Sequence, residues 1–297
     1  MSPTPIAPGD LQRFPLPRLT HDGDKEDRGE VLVVAGGSGV PGAALLTGLA
    51  ALRAGAGKLQ LAAPLALRVP LGVAAPEAAI VPVPADPQGE IAAHAAEALQ
   101  DRAALARAVV IGPGMLDEAA AAAVACGLIA RAEMAAFVLD AGALPRLAAH
   151  AQMTRTLAGR LVITPHAGEM AKLCGCERQA IRDDPLAAAL RVSRELGAVV
   201  ALKGADTYIA TPRGEAFLHA GGAVGLATSG SGDVLAGIVG GLLARGADAL
   251  TATLWGVCIH GAAGGRLTRE VGAVGFLARE LLEVIAPMID ATPGAAG

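Results

Sequence analysis

The densest chemistry in this chain lies in Thr228-Ser-Gly-Ser-Gly-Asp233, which runs straight into an apolar stretch over residues 234–244. The pattern is that of a glycine-rich loop opening a helix. A helix's first turn carries unpaired N–H groups and the positive end of the dipole, so it attracts phosphate. Glycines at 230 and 232 let the backbone approach an anion with no Cβ atoms in the way. Asp233 stands at the helix mouth, where it can act on a substrate hydroxyl or hold a cation beside the phosphate. The loop therefore predicts a phosphate site with an acid/base group attached.

Three further segments carry reactive side chains. In Lys203-Gly-Ala-Asp-Thr207, one of only four lysines follows an apolar run; a phosphate contact aided by the Thr207 hydroxyl competes with a surface hairpin lysine. In Thr164-Pro-His-Ala-Gly-Glu169, His166 can donate to a carbonyl or phosphate, or exchange a proton near neutral pH. The plainer reading is a helix start in which Thr164 caps and Glu169 favours the dipole. Asp140 ends another apolar run, where it can hold Mg²⁺ through water, bond a ligand hydroxyl, or merely cap the next helix. Gly36-Gly-Ser-Gly39 has neither the full dinucleotide spacing nor a Walker Lys-Ser/Thr, and alone reads as a strand-to-helix turn. His94, His150 and His219 lack companion groups and are expected at the surface. His260, inside an expected helix, is expected packed or solvated rather than catalytic.

These groups need elements to position them. The short all-apolar run at residues 31–35 suits a strand covered on both faces, and 59–63, 78–81, 108–111, 136–140, 161–164 and 198–202 are further candidate strands. Helical patterns over 41–56, 90–106, 117–132, 167–174 and 184–196 alternate with them. A hairpin is expected over 208–219, then helices over 231–245, 248–266 and about 274–289. This alternation predicts an α/β domain with a largely parallel sheet, whose ligands bind beyond the carboxyl ends of the strands. Gly36-Gly-Ser-Gly39, Gly112-Pro-Gly114, Asp140, Thr164-Pro-His166 and Lys203–Thr207 all fall at such ends.

Composition sets the bounds. Of 297 residues, 53% are hydrophobic but only 2% aromatic, so the core must be aliphatic. A net charge of −4 argues against a nucleic-acid partner. The four cysteines show no disulfide or zinc spacing, and Cys174-Gly-Cys176 reads as two small apolar fillers. No signal-peptide pattern opens the chain, and no apolar run reaches the roughly 20 residues of a membrane span. A cytoplasmic protein is expected, with a solvated lead-in over residues 1–28, one domain over 29–291 and a tail over 292–297.

The motifs in order are Val-Ala-Gly-Gly-Ser-Gly, Ala-Leu-Arg-Ala-Gly-Ala-Gly, Ile-Gly-Pro-Gly, Leu-Asp-Ala, Thr-Pro-His-x-Gly-Glu-Met, Leu-Lys-Gly-Ala-x-Thr and Ala-Thr-x-Gly-Ser-Gly-Asp-Val-Leu-Ala-Gly. Together, over about residues 28–290, they resemble the ADP-dependent NAD(P)H-hydrate dehydratases in their stand-alone form. The resemblance implies a ribokinase-like three-layer αβα sandwich. It implies repair of NADH hydrate and NADPH hydrate by phosphoryl transfer to the hydrate hydroxyl and elimination, with ADP (or ATP) as co-substrate and Mg²⁺ as cofactor. Asp233 would be the catalytic base. Lys203, Gly204, Ala205, Asp206 and Thr207, with Gly230, Ser231 and Gly232, would bind the adenine nucleotide. Ala43, Gly114, His166 and Asp233 would line the hydrate pocket. A homotetramer working beside a separate epimerase is also implied. The chain departs from the family pattern at Val40-Pro41, where a tyrosine is common, at Gly142, where a second aspartate is usual, and at Ala223-Val224, in place of Asn-Pro. The alternative on the same fold is a kinase of a hydroxymethyl pyrimidine or thiazole alcohol, which the Gly-Ser-Gly-Asp loop alone does not separate.

Overall fold

The computed structural model describes residues 2–18 and 24–295. Part of the expected lead-in (residues 1 and 19–23) and the last two residues of the tail lie outside them. In chain order the elements are β1 (Thr4–Pro5), β2 (Glu30–Val34), α1 (Gly42–Arg53), β3 (Lys58–Pro64), α2 (Arg68–Ala74), β4 (Ala78–Val83), α3 (Ala95–Leu105) and β5 (Ala108–Ile111). Then come α4 (Glu118–Ile129), β6 (Ala136–Leu139), α5 (Ala151–Thr154), β7 (Leu161–Ile163), α6 (Ala167–Cys174), α7 (Arg178–Asp183), α8 (Pro185–Leu196) and β8 (Val199–Leu202). The chain closes with β9 (Thr207–Ala210), β10 (Ala216–His219), α9 (Ser231–Ala244), α10 (Ala249–Glu270) and α11 (Ala278–Asp290).

The strands form one sheet in the order β1-β10-β9-β8-β7-β6-β5-β2-β3-β4. All pairings are parallel except those that β9 makes with β8 and β10. Strand periodicity splits the core in two. Val31, Val33, Leu61, Val110, Val138 and Val162 point to one face, where α1, α9, α10 and α11 cover them. Their neighbours Leu32, Val34, Ile111, Leu139 and Ile163 point to the other, against α3, α4, α6 and α8. Successive side chains alternate across a strand, so an unbroken apolar run is what a doubly covered sheet requires. The result is the expected three-layer αβα sandwich.

The lead-in is docked over its first half. Ile6, Leu11 and Leu16 are buried, β1 pairs with β10, the Trp255 indole N–H donates to the Phe14 carbonyl at 2.7 Å, and Phe14 meets Phe217 edge-on at 5.7 Å. Sequence reading took the prolines and charges here for solvation and passed over the three spaced apolar residues. It also passed over α2 and α7. The helix expected from residue 90 begins at Ala95 instead, because the Asp86 carboxylate accepts from the amides of Gln88 and Glu90 and holds them in a turn. Cys176 is exposed, not an apolar filler, and Gly175 before it takes the left-handed cap of α6 at φ 63°.

The close approach of α1 to α9 fixes the height of the Gly-rich loop. A Cβ on Gly237 would run into the Thr47 carbonyl, and one on Gly241 into the Ala51 carbonyl. Backbone cannot yield as a flexible side chain can, so Gly241→Ala should cost about 2–3 kcal/mol in urea unfolding. By contrast, Gly265 on α10 meets nothing nearer than the end of Arg269, at 3.8 Å. Gly265→Ala should be neutral or stabilising by up to about 1 kcal/mol through helix propensity. Equal effects at the two positions would contradict this packing.

Candidate active site at the mouth of helix α9

The strand order β8-β7-β6 sets Lys203, His166 and Asp140 side by side along the carboxyl edge of the sheet. The pairing of β7 and β8 runs on past their ends: the Lys203 amide donates to the Pro165 carbonyl at 2.8 Å, and His166 bridges Lys203. From there the Lys203 ammonium reaches Asp140 Oδ1 at 2.9 Å and Glu169 Oε2 at 4.0 Å. The Lys203 side chain is 19% exposed and that of Asp140 2%, so the surface-hairpin reading of Lys203 does not hold. A Cβ on Gly232 would stand 3.1 Å from the ammonium, which places that charge against the first turn of α9.

Asp233 enters the same cluster from the helix side. Burial pushes its carboxyl up to about 6, the negative charges of Asp140 and Glu169 add to that rise, and Lys203 opposes it. Burial likewise raises Glu169, against the opposing pull of Lys203. Lys203 itself is raised: desolvation works against its charge, but the surrounding carboxylates outweigh it. One ammonium thus serves three carboxylates, which leaves negative charge in excess around Asp233.

The helix mouth is built for an anion. No side chain caps α9, whose N-cap is Gly230 at φ 89°. A Cβ on Gly230 would meet Leu46 at 2.5 Å, so a larger residue is excluded both by conformation and by space. The open amides of the first turn face a cavity of about 780 Å³ lined by Lys203, Gly204, Ala205, Asp206 and Thr207, by Ser231 and Gly232, and by His166. Val224, Leu226, Leu235 and Val257 form its apolar side and Arg178 and Arg182 part of its rim. The size suits a nucleotide.

His166, not Thr164, caps α6. Its Nδ1 accepts from the amides of Gly168 and Glu169, and Glu169 accepts in return from the His166 amide at 2.8 Å. The helix start of the plainer reading is found with the cap moved to His166, whose Nε2 stands 3.4 Å from Glu169 Oε1; the residue also lines the cavity. Asp140 makes no side-chain cap; its partner is Lys203.

Ala43 and Gly114 sit elsewhere, against each other. A Cβ on Gly114, at φ 68°, would lie 2.5 Å from the Ala43 methyl and 2.9 Å from the Val40 carbonyl. They form the wall behind the loop 36–40, beyond the cavity. Sequence reading missed the residue that holds that loop: Glu90 Oε1 accepts from the Ser38 hydroxyl and the Gly39 amide, both at 3.1 Å. Placing Glu90 in a helix hid it. Gly142 has a physical reason too, since any Cβ there would strike the Met115 carbonyl. His219, expected at the surface, is partly buried and contacts the Ile6 carbonyl at 3.1 Å, whereas His260, expected packed or solvated, is packed against Ser231.

Among the described residues no three His, Cys, Asp or Glu side chains cluster as a metal cage, and Asp140 Oδ1 already takes Lys203. These donors do not fit a metal held by protein alone.

A family model for NAD(P)H-hydrate dehydratase matches residues 31–287. The chain belongs to that family. An ADP-dependent (S)-NAD(P)H-hydrate dehydratase of Xanthomonas campestris is 46% identical over 95% of each chain. The ADP/ATP-dependent NAD(P)H-hydrate dehydratase of Bacillus subtilis, crystallised with ATP/Mg²⁺, superposes with a TM-score of 0.80 at 28% identity, covering 97% of this chain and 98% of that one. A ribokinase-like superfamily protein of Enterococcus faecalis gives 0.82 at 24% identity over 98% and 96% of the two chains, which shows the ribokinase-like fold. Membership in a dehydratase family favours the lyase reading over the small-alcohol kinase. Among the described residues no helix is long and apolar enough to cross a membrane.

A raised carboxyl at the helix mouth costs stability when it ionises. Asp233 moves from an ordinary 3.8 to about 6. The folded state therefore binds its proton more tightly than the unfolded one, and stability falls as pH rises through that window. Asp233→Asn should stabilise the protein above about pH 6, by about 1–3 kcal/mol. The gain should shrink as pH drops towards 4, as read by urea unfolding across pH. A gain independent of pH would contradict the burial and charge assigned to Asp233.

Proposed function

We propose that the chain dehydrates NADH hydrate and NADPH hydrate at the expense of ADP, with Asp233 as the base. The observation that carries this is the pairing of an uncapped helix mouth with a half-buried carboxylate poised near neutrality. A base works best when its pKa lies close to the working pH.

The chemistry divides between the two ends of the site. Asp233 takes the proton of the hydrate hydroxyl, whose oxygen attacks the terminal phosphorus of ADP. The bond to the bridging oxygen breaks and AMP leaves. The α9 amides and Lys203 stabilise the transferring phosphoryl group by fixed donors and charge, which is the larger part of phosphoryl-transfer catalysis. Phosphate then leaves from carbon with the bonding electron pair, as the adjacent carbon gives up a proton and the ring double bond returns. The sum is hydrate plus ADP giving reduced cofactor, AMP and phosphate. Mg²⁺ bound to the phosphates would supply further charge neutralisation.

Within this reading, Lys203 to Thr207, Ser231 and Gly232 hold the nucleotide, with the apolar wall at Val224, Leu226 and Val257 taking the base. His166 faces the hydrate at the seam between nucleotide and acceptor halves, and Ala43 and Gly114 back the acceptor loop. The family resemblance supports a homotetramer in the cytoplasm beside a separate epimerase.

The test incubates the protein with NADH hydrate and ADP. The absorbance of reduced nicotinamide should return with one AMP released per turnover. Asp233→Asn should lose more than about 100-fold in kcat, on the scale of a general base, while binding ADP within a few-fold of wild type. No recovery with ADP or ATP, from a protein that still binds the nucleotide, would overturn the dehydratase reading. A variant that kept most of its rate would remove Asp233 from the base role.

A further inference from the structure

His260, on α10, lies across the mouth of α9 and takes no part in the chemistry above. Its Nε2 stands 2.9 Å from the Ser231 hydroxyl oxygen and 3.0 Å from the Ser231 carbonyl oxygen. A carbonyl only accepts, so the nitrogen facing it carries the proton and donates. A nitrogen that donates has no lone pair for the serine hydroxyl. Ser231 Oγ therefore also accepts from His260, and its own proton must point away. The only partner that hydroxyl has among the described residues is His260. Ser231 and His260 both line the large cavity, beside Gly232 and Lys203. Burial drives the imidazole pKa down to about 4, helped by the charge of Lys203 and opposed by the Ser231 carbonyl. The ring is therefore neutral at physiological pH, and it has a single N–H to give.

We infer that His260 is a positioning residue of the phosphate site, one that fixes the Ser231 hydroxyl so that its proton is offered to a nucleotide phosphate at the mouth of α9. Without His260 the hydroxyl can turn inward to its own helix, and an anion donor is lost. The inference rests on the ADP reading of the cavity and adds to it the group that aims one of the donors. It concerns the phosphate and not the base, so ADP and adenosine must respond differently.

The experiment measures ADP and adenosine binding by calorimetry for the wild type and for His260→Leu, His260→Gln, His260→Asn, Ser231→Ala and the double variant His260→Leu/Ser231→Ala. A hydrogen bond to a charged acceptor is worth about a ten- to hundredfold change in affinity. His260→Leu and Ser231→Ala should each weaken ADP by about that factor and leave adenosine unchanged, and the double variant should be no weaker than Ser231→Ala alone. Glutamine extends its amide nitrogen about as far as Nε2, whereas asparagine falls short. His260→Gln should therefore keep most of the affinity and His260→Asn lose it, which decides the matter even if His260→Leu does not fold. Equal losses for ADP and adenosine, losses that multiply in the double variant, or glutamine and asparagine behaving alike would each overturn the inference. Failure of the wild type to bind ADP would instead strike at the nucleotide reading.

Discussion

One ammonium among three carboxylates organises this molecule. Lys203 lies at the end of β8, with Asp140 from the end of β6 and Glu169 from α6 around it and Asp233 close enough to act on its charge. Removing such a charge from water is costly unless partners repay it. The repayment depends on strand order, because only the sequence β8-β7-β6 brings these three segments together at one edge. The excess of negative charge adds to burial in raising the Asp233 carboxyl to about 6. The two-sided apolar sheet, the glycines that let α9 sink against α1, and the bridge from His166 to Lys203 all hold this cluster in place.

The acceptor side follows a different logic from the nucleotide side. Where relatives with the usual motif have a second aspartate, Gly142 is tucked under the Met115 carbonyl, and a carboxylate could not be restored without moving that backbone. Where a tyrosine is common, Val40 and Pro41 lead into α1, and the loop before them is held by Glu90. A carboxylate anchored on the loop's own donors does the positioning here. The cluster of Lys203, Asp140, Glu169 and Asp233 forms without either missing residue.

The sequence made much of this legible, for identifiable reasons. Apolar runs of four or five residues announced the strands because a sheet covered on both faces leaves no polar alternation. Lys203, Asp140, His166 and Asp233 stood out because each is polar at the end of such a run or at a helix start. What escaped was set by tertiary contact. Glu90 sat in a helix-like pattern, and the Asp86 turn that withholds it has no periodic signal. His260 lay on a helix whose inward face depends on where α9 packs, and its partner Ser231 is 29 residues away. The docked N-terminal segment was masked by prolines and charges that surround only three buried side chains.

If Asp233 is the base, its neighbours set its working range. The most direct measurement is the pH dependence of kcat/KM for ADP-driven dehydration of NADH hydrate, in the wild type and in Glu169→Gln. The account predicts a rising limb centred near pH 6, where Asp233 ionises. Removing the Glu169 charge, which helps to raise Asp233, should move that limb to lower pH. A rate that stays flat between about pH 5 and 8, or a limb that does not move in the variant, would contradict it.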